Sequence, residues 1–261
     1  MVTRVQLGAG RLEDLHPKVI PVFLDETWMH LGNPERNDKP WPTEKSSKGY
    51  SFSYLSKIYR RFGVSYILKR GFRKAFWHSK ESTTMSSQKD EIYRRTNFRE
   101  FYYQKGDTLP FEDSSTNYIF SEHFFEHLFL DEALSLLKEC YRILRPFGVV
   151  RVCVPDADLR TYEPPEPVGF PDIKLPFTHH SKHKTRWSVY SLAEVLRVAG
   201  FDTLPLRYCD ESGKYIRVEP TKNRKAYERC LDQEMVFDLS YINRIDSLII
   251  DGLKNIKTGG S

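Results

Sequence analysis

Cysteine is scarce and scattered in this chain, with four in 261 residues at Cys140, Cys153, Cys209 and Cys230 and no CxxC pair. A zinc ribbon or a disulfide framework needs closely paired thiols, so these four read as reduced and buried. Long apolar runs are also missing. The longest, Val149–Val154, falls far short of the ~20 residues that cross a bilayer, so no membrane span is expected. The first residues lack the basic-then-apolar order of a secretion signal, which leads to the cytoplasm as the expected compartment. Net charge is small, +5, and much of it lies in Lys57–Lys80. A solvated helical face accounts for that segment better than an anionic partner, and no nucleic-acid partner is expected. No internal repeat is present. The length suits one sizeable core.

Two glycine motifs are absent as well. Thr3–Leu7 reads as a first strand running into Gly8-Ala9-Gly10, a spacing that lets the backbone turn sharply and a ligand come close. The third glycine of a dinucleotide fingerprint is replaced by Glu13, which argues against NAD or FAD. No GKS or GKT follows, which excludes a Walker-type loop. Val19–Leu24 reads as a second strand ending in Asp25. A carboxylate there can accept two hydrogen bonds from ribose hydroxyls, the alternative being a cap on the Glu26-Thr27-Trp28 turn.

The densest signal lies between Lys105 and Asp156. Tyr118-Ile119-Phe120 form a short strand that stops at Ser121-Glu122-His123. Leu134, Leu137, Tyr141 and Leu144 recur at helical spacing over about Asp131–Leu144, with acids in the first turn and arginines in the last. Pro146 and Gly148 end that helix, and Val149–Val154 reads as a strand buried on both faces. This is a βαβ unit, whose strand tips at Ser121–His123 and Pro155-Asp156 face a site.

The run GDTLPFEDSSTNYIFSEHFFEHL, continued by LLKECYRILRPFGVVRVCVPD, resembles the second half of class I S-adenosylmethionine (SAM) dependent methyltransferases. LGAG with VFLDE, and the tail from His183-Lys184 through Trp187 to SLIIDG, resemble a bacterial subgroup associated with polysaccharide biosynthesis. Phe147 stands where the family usually has glycine. The resemblance implies an α/β, Rossmann-like methyltransferase fold: a mostly parallel central sheet with helices on both faces. It also implies a single domain over 1–258, with 33–97 a helical insertion or lid after the second strand and Gly259-Gly260-Ser261 an appended tail. SAM would be held by Gly8, Ala9, Gly10, Asp25, Asp107, Thr108, Leu109, Ser121 and Glu122, with Asp107 to Leu109, just past a third strand at Phe101–Gln104, at the adenine. The acceptor would be a sugar, a glycan precursor or a small polar or phosphorylated metabolite, methylated on oxygen.

Downstream, Ser191–Ala199 reads as a helix closed by Gly200, Leu204–Cys209 and Tyr215–Val218 as a hairpin, and Asp246–Leu253 as the last strand. His179, His180, Arg186 and Trp187 are candidate substrate contacts, with plain surface placement open for the two histidines. A hydroxyl acceptor needs a base, and His123 and His183 are the candidates. His127 is read as a core or capping residue. No metal is expected, although His123-Phe124-Phe125-Glu126-His127 also matches the HxxEH of inverted zinc peptidases. The peptidase and a SAM-binding protein without catalysis are therefore the alternatives.

Overall fold

The computed structural model describes residues 2–9, 25–32, 96–159 and 183–255. The chain divides into two units, residues 1–33 with 96–261 and residues 34–95. The second unit lies outside the described residues, as do the expected strand at 19–24 and the expected lid helices. The first unit is built on an eight-stranded sheet. Its strands are β1 (Arg4–Leu7), β2 (Trp28–Gly32), β3 (Phe98–Glu100), β4 (Thr116–Glu122), β5 (Leu144–Val154), β6 (Asp202–Cys209), β7 (Tyr215–Arg217) and β8 (Leu248–Leu253). They lie in the order β3-β2-β1-β4-β5-β8-β6-β7. β3 through β5 are parallel, the first five places of a doubly wound sheet. Beyond β5 the sheet turns antiparallel: β8 pairs with both β5 and β6, and β7 closes a hairpin on β6 around Gly213. This is a Rossmann-like α/β fold with a mostly parallel centre.

Alternation along the strands divides the core in two. Val5, Leu7, Ile119, Val150, Val152, Val154, Leu248 and Ile250 face helices α1 (Leu130–Ile143) and α2 (Val189–Val198). Trp28, Tyr118, Phe120, Val149, Cys153 and Ile249 face the segment carrying α3 (Arg224–Tyr227) and α4 (Gln233–Phe237). The buried stripe of α1 is Ala133, Leu136, Leu137, Cys140 and Ile143, rotated from the expected one, and Leu134 and Tyr141 are partly exposed at its border. The Glu132 carboxylate accepts from the Phe129 amide at the start of this helix. At its end Lys254 Nζ donates to the carbonyls of Tyr141 and Leu144, both at 2.7 Å, satisfying groups that the helix cannot. Ser188 caps α2, its hydroxyl accepting from the Ser191 amide.

β2 falls at Trp28–Gly32, just after the Asp25 turn, where no strand was expected, and several boundaries also differ from the sequence reading. The third strand covers Phe98–Glu100 rather than 101–104, with the Phe101 amide extending its ladder to Gly32 by one bond. The last strand starts at Leu248, and β5 includes the Pro146 turn as an irregular start opposite Thr116. Phe147 sits in that turn with φ +66°, where glycine would carry no strain. Its amide bonds to the Lys254 carbonyl and the Arg229 guanidinium stacks 3.7 Å over its ring, so packing holds the conformation. All four cysteines are buried and free, as expected. Among the described residues no helix is long and apolar enough to cross a membrane.

The second core contains a charge pair. Arg151 and Asp251 lie directly opposite on β5 and β8, both fully buried, and meet through two bonds of 2.7 Å. The remaining guanidinium hydrogens go to the carbonyls of Met235 and Val236 and to the Tyr241 hydroxyl, while the Tyr227 hydroxyl donates to Asp251 at 2.6 Å. Tyr118 and Tyr241 share a further hydrogen bond. Every arm of the pair is thus used to hold the 227–241 segment on the sheet.

Candidate active site

In a parallel sheet all carboxyl ends lie on one edge. Here that edge collects Gly8 and Ala9 after β1, Gly32 at the end of β2, Ser121 to His123 after β4 and Asp156 after β5. Gly8 has φ +71°, and a Cβ built on it would lie 2.5 Å from the Phe124 side chain. Glycine is therefore required twice over, for the turn and for the close passage of the loop after β4. Ala9 is buried and its amide bonds to the Leu31 carbonyl, which fixes the loop against β2. Gly10 lies outside the described residues.

Asp25 is a correction. It precedes β2, whose first residue Trp28 pairs with Arg4 at the start of β1, so it sits at the amino edge of the sheet, away from the strand tips. Its carboxylate accepts from the Thr27 amide at 2.8 Å and lies 3.7 Å from Arg4, and these neighbours hold its pKa below the usual carboxylate range. The turn-capping alternative describes it. The tip of β2 carries Gly32 instead, and among the described residues no carboxylate stands there for a ribose.

Asp107 follows β3 on the site edge, where its carboxylate accepts from the Gln104 amide and closes the turn. Thr108 is exposed and Leu109 is buried in the core beside it. This loop is anchored to α1: Glu139 accepts from the Leu109 amide at 2.8 Å, and Arg142 donates to the carbonyls of Leu109 and Phe111 and to Asp113. Arg142→Ala is therefore expected to cost about 1.5–3 kcal/mol in a urea melt, the worth of hydrogen bonds to a charged group.

Ser121 is fully buried at the tip of β4, and its hydroxyl has no hydrogen-bond partner within the described residues. Burial raises the Glu122 carboxyl above its usual range, although the Arg244 amide donates to it at 2.8 Å. His123 has φ +52°. Its Nε2 lies 2.8 Å from Ser247 Oγ and its Nδ1 lies 2.8 Å from Arg244 Nη1. A guanidinium only donates, so Nδ1 is the acceptor and Nε2 carries the proton. Both ring nitrogens are thus taken up by the protein, which favours a positioning role over that of a base. Arg244 and Ser247, on the loop before β8, were not among the expected site residues, although Ser247 opens the SLIIDG of the tail.

The loop after β4 makes a three-residue 3-10 helix, Phe125–His127. His123 stands outside it in a left-handed conformation, so His123 and His127 do not share the helical face that the peptidase motif requires. His127 meets a different histidine. The rings of His127 and His183 pack edge to face with centroids 4.9 Å apart, and the pair stands beside Glu126. The contact follows from the backbone, because the amides of Lys184 and Thr185 donate to the Glu126 carbonyl at 2.7 and 3.2 Å and Thr185 Oγ1 donates to the Leu128 carbonyl.

Of the expected substrate contacts, His179 and His180 lie outside the described residues and Arg186 is exposed. Trp187 is a correction: it is 1 % exposed and packed in the core, bridging to Asp156, so it supports the site from behind. Asp156 accepts from the amides of Asp158 and Cys209, while burial pushes its pKa up. It holds the tip of β5 in place.

Residues 65–152 match the family described as a methyltransferase domain, a span that ends within β5. No curated protein matches the chain significantly. Among solved structures, a SAM-dependent methyltransferase from Thermotoga maritima is 15 % identical over 98 % of this chain and 83 % of its own, with a TM-score of 0.45. One from Archaeoglobus fulgidus is 14 % identical over 97 % and 86 %, with a TM-score of 0.42. The phosphoethanolamine N-methyltransferase 1 of Haemonchus contortus, solved with phosphoethanolamine and S-adenosylhomocysteine, is 14 % identical over 100 % of this chain and 41 % of its own, at 0.44. At these levels the case for the fold rests on the strand order itself. The family match supports methyl transfer from SAM as the chemistry.

Proposed function

We propose that this chain is a SAM-dependent methyltransferase that methylates an oxygen of a sugar, a glycan precursor or a small polar or phosphorylated metabolite. The observation that carries the reading is the methyltransferase-domain match over 65–152, which takes in β3, β4 with its tip at Ser121-Glu122, and most of β5. The acceptor class follows from the sequence resemblance alone.

The residues fit the cofactor at two places and leave a third unfilled. The Gly8 turn reaches the site edge, where the Phe124 side chain takes the space a Cβ would occupy, and the buried Ser121 hydroxyl has a bond to give. Asp107 offers an acceptor for the adenine, while Leu109 is buried in the core beside it. The ribose has no described carboxylate. When bound, SAM supplies a methyl on a sulfonium, and a neutral sulfur leaves without needing an acid. The protein's own work is alignment, and holding two reactants in line can lower a barrier by about 7–11 kcal/mol. The anchored 107–113 loop and the Arg244–His123–Ser247 cluster are the rigid parts that would do so.

Calorimetric titration with SAM tests the reading. Wild type should bind one equivalent. Asp107→Ala should weaken binding roughly 5- to 150-fold, the worth of one buried amine losing its acceptor. Asp25→Ala should change affinity by less than about 2-fold, since Asp25 stands at the other edge of the sheet. Absence of any SAM heat would end the proposal. A methyl-transfer screen over nucleotide-linked sugars and phosphorylated metabolites would then identify the acceptor.

A further inference from the structure

We infer that Glu126, His127 and His183 form a binding site for one divalent first-row transition-metal ion, with zinc, manganese and iron(II) the ions its chemistry suits. One ligand atom of each residue lies within 4.8 Å of the others. Donors on a common tetrahedral ion at ~2.0–2.1 Å stand roughly 3.4 Å apart, so small side-chain rotations complete the set. Two imidazoles and one carboxylate favour these ions over magnesium or calcium, which prefer oxygen throughout.

A second observation points to a cation independently. Glu126 is 2 % exposed and, among the described residues, neither of its carboxylate oxygens has a hydrogen-bond partner. Oε1 is 3.2 Å from His123 Nδ1, but Arg244 already donates to that nitrogen, and it is 3.9 Å from His127 Nε2. A fully buried carboxyl group without a hydrogen bond is costly unless a cation sits on it. The surroundings are also rigid, as a metal site requires: the 184–185 amides are bonded to the Glu126 carbonyl, which holds His183 against His127.

Three protein ligands leave coordination positions open. If the methyl-transfer proposal holds, an oxygen of the acceptor would fill one and be held beside the tip of β4; that step alone rests on the earlier reading. The cluster also explains why His183, 56 positions after His127, comes to this place.

The test uses full-length protein stripped with a chelator and titrated with Co²⁺, followed by visible absorption and calorimetry. One equivalent should bind with a ligand-field band, and Zn²⁺ should displace it. His183→Ala and His127→Gln should each weaken binding by at least about 100-fold while keeping the wild-type circular dichroism spectrum; His183 lies on a loop, so its variant is the less disruptive. His123→Ala should still bind. No saturable Co²⁺ binding, or wild-type affinity in His183→Ala, would overturn the site. Loss in His123→Ala with retention in His183→Ala would assign the ion to the HxxEH pairing instead, and so also overturn it. SAM titration of the same metal-free protein separates this result from the methyltransferase reading, because either ligand can fail to bind without the other.

Discussion

Asp251→Ala is expected to destabilise the protein by about 3–5 kcal/mol, the range for removing one partner of a buried ion pair. Arg151 would keep its charge at zero exposure, and the hydroxyl of Tyr227 would lose its acceptor. Dispersing that charge requires moving the 227–241 segment off the sheet, so the loss should appear as a lower urea midpoint. Arg151→Met combined with Asp251→Leu should recover part of it, since apolar replacement removes the stranded charge. The recovery stays partial because the carbonyls of Met235 and Val236 lose their donor. A cost under about 1 kcal/mol for Asp251→Ala would show that the pair does not hold the second core together.

The second large effect concerns the glycine loop. A Cβ on Gly32 would stand 1.7 Å from the carbonyl oxygen of Ala9, which is backbone and has no rotamer to retreat into. Gly32→Ala must therefore push the loop off β2 and break the bond from the Ala9 amide to Leu31. Overpacking of this kind costs about 1–3 kcal/mol or more in stability. SAM affinity should drop by more than about 10-fold, a change worth ~1.4 kcal/mol, because the displaced loop is the one proposed to approach the cofactor. Wild-type affinity in this variant would show that the Gly8–Ala9 loop does not touch the cofactor. Gly32 thus takes the place at the β2 tip where an acid was expected and serves the neighbouring loop.

Much of the fold was legible because its signals are local. The β4–α1–β5 unit was readable from apolar period, helix-end charges and the Pro146–Gly148 stop, and α2 and the β6–β7 hairpin from similar cues. Asp25 was misplaced because the second strand was read in the apolar run before it, whereas β2 is Trp28–Gly32, after it. Only the pairing of Trp28 with Arg4 tells which end it occupies. Arg151 passed unremarked inside a β-branched run, since its partner lies 100 positions away and becomes visible only in the β5–β8 register.

The sequence by itself determined the β4–α1–β5 unit, the sharp glycine turn after β1 and the polar corner at Ser121–His123, since each depends on residues within a few positions of one another. Tertiary structure alone decided that Asp25 faces away, that His123 is held by Arg244 and Ser247, and that His183 joins Glu126 and His127. Those outcomes depend on register and on backbone bonds between distant segments, and local pattern carries no information about which distant group will arrive.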